Sequence, residues 1–144
     1  MPRVVFDVNV LISGVIWIGK PKLLIDAVVD GRMTLILSDE IMREFKTVIA
    51  REKFKLDEEK QAAITNFILN LGRIVRMKNR LRVVREDPKD DIIVNTAMDG
   101  RVDYIVSGDD HLLALKEFRG MRIVSVSEML ELLKEGATRS GPNT

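Results

Sequence analysis

Acidic side chains crowd the start of one predicted helix. The stretch Val83–Gly100 (VVREDPKDDIIVNTAMDG) places Asp87, Asp90 and Asp91 within five residues, directly before the apolar run Ile92–Val94. One carboxylate is enough to cap a helix and to accept its free N–H groups. Carboxylates gathered beside a core repel one another and lose hydration, which costs free energy. Since a divalent cation removes both penalties, this stretch indicates a metal site as well as a helix cap.

Two more carboxylates follow predicted strands. Asp7 comes directly after the β-branched run Arg3–Phe6, and Asp109 follows Tyr104–Val106 after a Ser-Gly turn. In open parallel sheets, ligands bind beyond the carboxyl ends of the strands, so both acids are placed where such a fold binds its ligand. The alternative for each is a loop aspartate that only caps the next helix.

A glutamate lies at the edge of an apolar helix face. Ser38 is a suitable cap for the helix that follows it, and Glu44 lies about 100° from the centre of the apolar stripe of that helix. A side chain at such an edge can be half buried and point towards the end of the sheet. Glu40 shares this face and is a rival, and a surface ion pair is the alternative for Glu44.

The acids that could converge define one kind of ligand chemistry. They are Asp7, Glu44, Asp90 and Asp109. The chain has no cysteine and one histidine, so the ligands are hard oxygen atoms, which select Mg²⁺ or Mn²⁺ over Zn²⁺. Such a site suits phosphodiester hydrolysis by an activated water. We expect Asn9 and Ser107 to orient the carboxylates or the water.

Basic residues accumulate just before the acidic stretch. Between Gly72 and Glu86 the chain carries six bases and no acid. They could follow a phosphate backbone, or they could form a solvated strand face that pairs with neighbouring helices. The candidates for RNA binding are Arg80, Arg82 and Arg85, together with Lys20 and Lys22 near the predicted mouth of the site. The net charge of +1 does not by itself predict a nucleic-acid partner.

Length and composition predict one globular domain. The chain has 144 residues, of which 46% are hydrophobic and 31% are charged. We expect a single domain over residues 1–135 and a flexible polar tail over residues 136–144. No apolar run approaches the ~20 residues of a membrane span, and we expect no signal peptide before the first strand. The absence of cysteine fits a cytoplasmic protein.

Strands and helices alternate along the chain, which predicts an α/β fold with a parallel sheet covered by helices on both faces. The predicted strands are Arg3–Phe6, Met33–Leu37, Asp103–Ser107 and Arg122–Val124. The predicted helices occupy 22–30, 38–51, 57–71, 90–99, 109–115 and 125–136, and an apolar stretch follows Asn9 as far as Ile18. Asp57–Glu59 open one of these helices, and Ser125 with Glu128 forms a capping box at the start of the last. The stretch Arg73–Arg85 fits either two short strands or a strand and a loop.

Four segments, in this order, resemble the PIN-domain ribonuclease family and, within it, the VapC-like toxins of toxin–antitoxin systems. They are Val5–Leu11, Ser38 with Glu44, Asp87–Asp91 and Tyr104–Asp109. The resemblance extends from Val4 to about Leu133. It implies a three-layer α/β/α fold with a central parallel sheet, and an acidic cluster that binds Mg²⁺ or Mn²⁺.

The resemblance also implies roles for individual residues. It makes Asp7, Glu44, Asp90 and Asp109 the catalytic and metal-binding acids, with Asp91 assisting. Asp90 is preferred to its neighbour because it stands seven residues before Ala97, where the family has a small helix residue. Asn9 and Ser107 match polar supporting positions of the family.

The activity implied is a divalent-metal-dependent ribonuclease, with a homodimer and an antitoxin protein as partners. Two positions depart from the family pattern: Val8 replaces the usual threonine, and His111 replaces a common second acid. We interpret His111 as a surface helix residue. The alternatives are a non-catalytic PIN-like module that binds RNA or protein, a haloacid-dehalogenase-type phosphatase, and a phosphoacceptor receiver domain, which fits least well.

Overall fold

The computed structural model describes residues 1–84 and 87–139. Its strands are β1 (Arg3–Phe6), β2 (Thr34–Leu37), β3 (Arg73–Ile74), β4 (Tyr104–Val106), β5 (Glu117–Phe118) and β6 (Met121–Val124). Its helices are α1 (Val8–Ile16), α2 (Lys20–Val29), α3 (Asp39–Ile49), α4 (Glu58–Leu71), α5 (Pro88–Asp99), α6 (Asp110–Leu115) and α7 (Val126–Arg139). A short 3₁₀ turn, Glu52–Phe54, connects α3 to α4.

The described strands form one six-stranded sheet in the order β3-β2-β1-β4-β6-β5. Every pairing is parallel except that of β5 with β6. The chain first builds outwards from β1 through β2 to β3, and then returns to place β4 on the other side of β1. The strand order therefore reverses between β1 and β4, which is where open parallel sheets bind ligands. The mixed α/β fold with a mostly parallel central sheet is confirmed.

The centre of the sheet is buried on both faces. Val4, Val5 and Phe6 of β1 are all buried, as expected for a parallel strand with helices on either side. Helix α5 contacts β1, β2 and β4. Its close approach to β2 requires glycine at its end, because a Cβ atom on Gly100 would lie 2.6 Å from Cγ2 of Ile36. This packing fixes the start of α5, and its acids, against the sheet.

Capping residues set several helix boundaries as the sequence predicts. Asp57 accepts a hydrogen bond from the backbone N–H of Lys60 at 2.8 Å, so α4 begins at the following residue. The side chains of Ser125 and Glu128 each accept a hydrogen bond from the other's backbone N–H at 3.1 Å. This reciprocal pair is the predicted capping box at the start of α7.

Other boundaries differ from the predictions. The apolar stretch that continues to Ile18 is longer than helix α1, which ends at Ile16. Ile18 therefore lies beyond the last helical turn and is 96% exposed. Helix α7 continues past the predicted end at residue 136 to Arg139, so part of the predicted tail is helical, while residues 140–144 lie outside the described residues. Strand β5 was not predicted, because two residues carry no periodic pattern.

Between Arg73 and Val84, the described part of the ambiguous stretch, there is one two-residue strand. The backbone N–H of Val75 still bonds to the Leu37 carbonyl at 2.8 Å, and an irregular connection then leads to Val84. No single helix among residues 1–84 and 87–139 is long and apolar enough to cross a membrane. Helices α1 and α2, which are bent by 91° relative to each other, pass such a test of length and composition only as a pair.

Candidate active site

Asp7 joins the end of β1 to the start of α1. Its Oδ1 accepts a hydrogen bond from the backbone N–H of Val10 at 2.8 Å, and its Oδ2 accepts one from the Ser107 hydroxyl. The side chain is buried, and this burial raises the pKa of Asp7. Asp7 is therefore a helix cap, as its alternative reading proposed, and it also lines the cavity described below.

Ser107 ties the ends of the two central strands together. It follows β4, is fully buried, and donates its hydroxyl hydrogen to Asp7 across the point where the strand order reverses. The same oxygen accepts a hydrogen bond from the backbone N–H of Asp109 at 2.9 Å. One hydroxyl thus positions two of the predicted acids, which is the supporting role expected of Ser107.

Asp109 caps α6 while remaining partly exposed. Its Oδ1 accepts hydrogen bonds from the backbone N–H groups of His111 at 2.8 Å and Leu112 at 3.3 Å. The Nδ1 atom of His111 lies 3.8 Å from the same carboxylate oxygen. The negative charge of Asp109 is therefore fixed next to an imidazole at the edge of the site.

Asp90 is free of capping because another residue caps α5. The side chain of Asp87 accepts a hydrogen bond from the backbone N–H of Lys89 at 3.0 Å. Asp90 is only 6% exposed, and its Oδ2 atom has no hydrogen-bond partner among the described residues. Burial, followed by the negative charges of Asp109 and Asp87, raises the pKa of Asp90 to about 7. A buried carboxylate without a partner is costly unless a ligand completes it.

Glu44 lies opposite these acids on α3. It is half-buried, and its Oε1 lies 3.1 Å from the Nζ of Lys89, so that the pair connects α3 to the start of α5. Its position at the edge of an apolar helix face is confirmed, because Ile41 and Val48 on either side of it are buried. The rival Glu40 instead lies 3.6 Å from a guanidinium nitrogen of Arg80.

These side chains line one cavity of about 200 Å³ at the carboxyl ends of the central strands. The four predicted acids all border it: Asp7, Glu44, Asp90 and Asp109. Asn9 borders it as well and is exposed, so it can reach a ligand there. The structure thus brings together residues that are as far apart in the sequence as Asp7 and Asp109.

Four further charged or ionisable residues at this site were not among the predicted ligands or binding residues: Arg51, Asp87, Lys89 and His111. Lys89 and Arg51 border the cavity and place two positive charges beside the acids. Asp90, Asp109 and His111 each offer a ligand atom within 4.8 Å of the others, so that this trio could hold a metal ion. A sequence signal for Arg51 exists: it stands seven residues after Glu44, two helical turns along the same face. Lys89 lies inside the acidic motif itself.

The structure gives Asp91 a different role from the predicted one. Its Oδ1 accepts hydrogen bonds from the backbone N–H groups of Val83 at 2.8 Å and Val84 at 2.7 Å. Asp91 does not border the cavity, because successive helix residues point about 100° apart. The expectation that it assists in metal binding is therefore corrected: its carboxylate holds the preceding segment against α5.

The predicted RNA-binding residues lie in several places. Lys20 donates a hydrogen bond to the Ser127 hydroxyl at 3.0 Å, and Lys22 pairs with Asp26 at 3.0 Å. Neither borders the acidic cavity, so the expectation that they flank its mouth is corrected. Arg80 and Arg82 are exposed. Arg85 lies outside the described residues.

The donor set fits a hard divalent cation. The cavity offers carboxylate oxygens from four helices or helix starts, and one of them, Oδ2 of Asp90, is buried with no partner in the part of the chain that the structure describes. Oxygen ligands of this kind are those that Mg²⁺ and Mn²⁺ prefer. A cation would also relieve the repulsion that raises the pKa of Asp90.

Comparison with known proteins agrees with this geometry. The sequence model of the PIN domain matches residues 3–111, a range that contains all four acids of the cavity. The chain belongs to the PIN domain family. PIN domains are generally nucleases that use divalent metals, so the haloacid-dehalogenase and receiver alternatives are no longer needed.

The PIN fold is also found among solved structures. The chain is similar to the crystal structure of PAE2754 from Pyrobaculum aerophilum, with a TM-score of 0.61 and 15% sequence identity. The match covers 94% of this chain and 90% of that one, and at this identity it supports the fold alone. No curated protein matches the sequence significantly.

Proposed function

We propose that this PIN domain is a divalent-metal-dependent endoribonuclease that hydrolyses phosphodiester bonds in RNA. The observation that carries the proposal is the Oδ2 atom of Asp90, which is buried close to Asp109 and has no hydrogen-bond partner among the described residues. A structural protein gains nothing from such a group, whereas a metal-dependent enzyme needs it.

The acids of the cavity would bind the metal ion in this reaction. Asp7, Asp90 and Asp109 would hold Mg²⁺ or Mn²⁺, with Glu44 available once Lys89 moves away from it. The bound cation supplies charge stabilisation at the phosphoryl oxygens and lowers the pKa of the attacking water.

Other residues of the cavity serve the substrate and the ligands. Ser107 keeps the first and last acids in register through its two hydrogen bonds. Lys89 and Arg51 are placed to bind the phosphate that is cut, because both border the cavity and carry positive charge. Asn9 is exposed there and is available to orient the water.

The alternative is a PIN module that binds RNA or protein without cutting. The resemblance to VapC-like toxins adds a homodimer and an antitoxin partner as proposals, and the absence of cysteine adds a cytoplasmic location. The retained set of four acids favours the enzyme, since a module that only binds has no use for a buried unpartnered carboxylate.

Cleavage of end-labelled single-stranded RNA tests the proposal. We expect the wild-type protein to cut in the presence of Mg²⁺ or Mn²⁺ and to stop when a chelator is added. Asp90→Asn should lower the rate by about 10²–10³-fold, the range for losing one electrostatic group of an active site. Asp30→Asn, an equal change at an exposed site outside the cavity, should cut like wild type.

The outcomes separate the two functions. Equal cleavage by wild type and Asp90→Asn would show that this site does not cut RNA. If neither protein cuts several unrelated RNAs, yet wild type binds Mn²⁺ in a titration calorimeter and Asp90→Asn does not, the cavity is a metal site without nuclease activity. The binding-module alternative would then stand.

A further inference from the structure

A row of basic side chains runs along the segment before the acidic motif. Arg76, Lys78, Arg80 and Arg82, which we call the basic row, occupy every second position and are all exposed. The residues between them face inwards to different degrees, and Met77 is buried. Alternation of this kind is typical of an extended chain, in which every second side chain is about 6–7 Å from the next. This is close to the separation of successive phosphates along an extended single strand.

The backbone of this segment is fixed although it pairs with no strand after β3. Three side chains of α5 at four-residue intervals hold it, and we call them the polar ladder: Asp91, Asn95 and Asp99. Asp99 accepts hydrogen bonds from the backbone N–H groups of Lys78 at 2.6 Å and Asn79 at 2.9 Å. The polar ladder thus replaces the missing strand partner.

The other two side chains of the polar ladder hold the segment as far as Val84. The side chain of Asn95 accepts a hydrogen bond from the Leu81 backbone N–H at 3.0 Å and donates one to its carbonyl at 2.8 Å. Asp91 accepts from Val83 and Val84. The polar ladder turns a connection that would otherwise be mobile into a rigid support for the basic row.

The attachment points give the basic row a direction. Asp99 at the end of α5 holds Lys78 and Asn79, whereas Asp91 at its start holds Val83 and Val84. The segment therefore runs antiparallel to α5 and leads towards the helix start. That start carries Asp87, Lys89 and Asp90, which border the acidic cavity.

Most charges of the basic row are uncompensated. Within the described part of the chain, the side chains of Arg76, Lys78 and Arg82 have no ion-pair partner. Arg80 differs from these three: it lies 3.6 Å from Glu40, and its guanidinium donates hydrogen bonds to the backbone carbonyls of Met77 at 2.8 Å and Asn79 at 3.2 Å. Exposed positive charges at every second position of a fixed backbone are suited to a polyanion of regular spacing.

We infer that the basic row binds the phosphate backbone of one single RNA strand and leads that strand into the acidic cavity. This inference rests on the proposed function, because the row is assigned to RNA on account of the phosphodiester chemistry at its end. A single linear row contacts one strand. It matches successive phosphates through charge rather than base identity, so the binding is independent of sequence.

Binding measured without cleavage tests the inference. Both proteins carry Asp90→Asn so that the RNA is not cut, and fluorescence anisotropy measures their affinity for labelled oligouridylate. The row variant is Arg76→Gln/Lys78→Gln/Arg82→Gln, and it is compared with a control that removes the same charge elsewhere. The control is Arg43→Gln/Lys46→Gln/Lys60→Gln, at exposed helix positions outside the cavity. We expect the row variant to weaken binding about 10–100-fold at low salt. The slope of log K against log salt should fall by about 2, for three lost phosphate contacts.

A second variant tests whether the support matters as well as the charge. Asp99→Ala keeps every base of the basic row but removes the acceptor for Lys78 and Asn79. We expect hydrogen exchange of the Lys78–Val84 amides to speed up and RNA affinity to fall several-fold while the melting transition stays cooperative. Asp99→Asn keeps one acceptor oxygen, so it should recover part of the amide protection and part of the RNA affinity.

The outcomes distinguish this inference from the proposed function. If the row variant and the control bind RNA equally, the inference is wrong, even when the wild type cuts RNA. If polyglutamate competes as well as RNA of equal length, the row is a site for acidic proteins and the assignment to RNA is overturned. If RNA binds through the row but the wild type never cuts it, the inference stands and the nuclease proposal fails.

Discussion

Helix α5 carries two sets of polar side chains with opposite surroundings. At its start, Asp90 is buried with an oxygen that no described residue satisfies. One residue further on, Asp91 accepts two backbone hydrogen bonds, and Asn95 and Asp99 continue the same pattern along the polar ladder. Both sets are polar groups close to a core. The difference teaches that the Oδ2 atom of Asp90 needs a ligand to satisfy it, whereas the side chains of the polar ladder are satisfied by the backbone of the same chain.

Opposite stability effects at adjacent residues would sharpen this comparison most. We expect Asp91→Ala to lower the free energy of unfolding by about 1–3 kcal/mol, because it leaves the amides of Val83 and Val84 without an acceptor. In metal-free buffer, Asp90→Asn should instead raise the free energy of unfolding by about 1 kcal/mol or more, because the substitution removes a buried charge.

Urea denaturation of the wild type and both variants, with a chelator present, measures these changes. Asp30→Asn serves as the control for an exposed aspartate. A destabilised Asp90→Asn would break the comparison, because it would mean that this carboxylate, too, has a structural partner.

The pH dependence of stability should also separate Asp90 from its neighbours. Its pKa rises from an ordinary value of 3.8 to about 7 in the folded protein, so between these values the folded state binds the proton and the unfolded state does not. Stability from this group is therefore greatest at low pH and falls as the pH rises through that window, by at most about 1.4 kcal/mol per pH unit.

The measurement is the difference in unfolding free energy between wild type and Asp90→Asn at several pH values. We expect the variant's advantage to grow from pH 4 to pH 7 and then level off. Saturating Mn²⁺ should reverse the advantage, because the cation stabilises the ionised carboxylate that the variant lacks. A difference that stays constant with pH would contradict the raised pKa of Asp90.

A smaller effect is expected at the ion pair between Lys89 and Glu44. The Nζ atom of Lys89 lies 3.1 Å from Oε1 of Glu44, so the ammonium group competes with a metal ion for that carboxylate. We expect Lys89→Gln to tighten Mn²⁺ binding several-fold by calorimetry, while Lys46→Gln on the exposed face of α3 leaves it unchanged. Unchanged affinity in Lys89→Gln would show that Glu44 takes no part in holding the metal.

Local patterns predicted the parts of this fold that depend on neighbouring residues. Asp57 and the pair of Ser125 with Glu128 cap their helices as expected, because a cap involves residues only three positions apart. Asp7 and Asp109 were placed at the ligand end of the sheet because this end follows from the alternation of strands and helices.

Features that depend on distant contacts could not be predicted in this way. Lys20 bonds to Ser127, 107 residues away, and nothing in the local sequence indicates that contact. Asp90 and Asp91 have the same chemistry and adjacent positions, so composition cannot separate them. Their roles differ because Asp87 takes the cap and because a rotation of about 100° sends one side chain to the cavity and the other to the segment ending at Val84.

The Ser107 hydroxyl has a consequence for how the protein is made. It accepts a hydrogen bond from the backbone N–H of Asp109 and donates one to the Asp7 carboxylate, a hundred positions earlier in the chain, and the bond to Asp7 requires β4 to lie beside β1. A nascent chain that emerges from the ribosome holds Asp7 long before Asp109 has been translated. The complete set of ligands therefore comes into existence only when β4 is added to the sheet, and a truncated product that ends before β4 is an incomplete binder of metal.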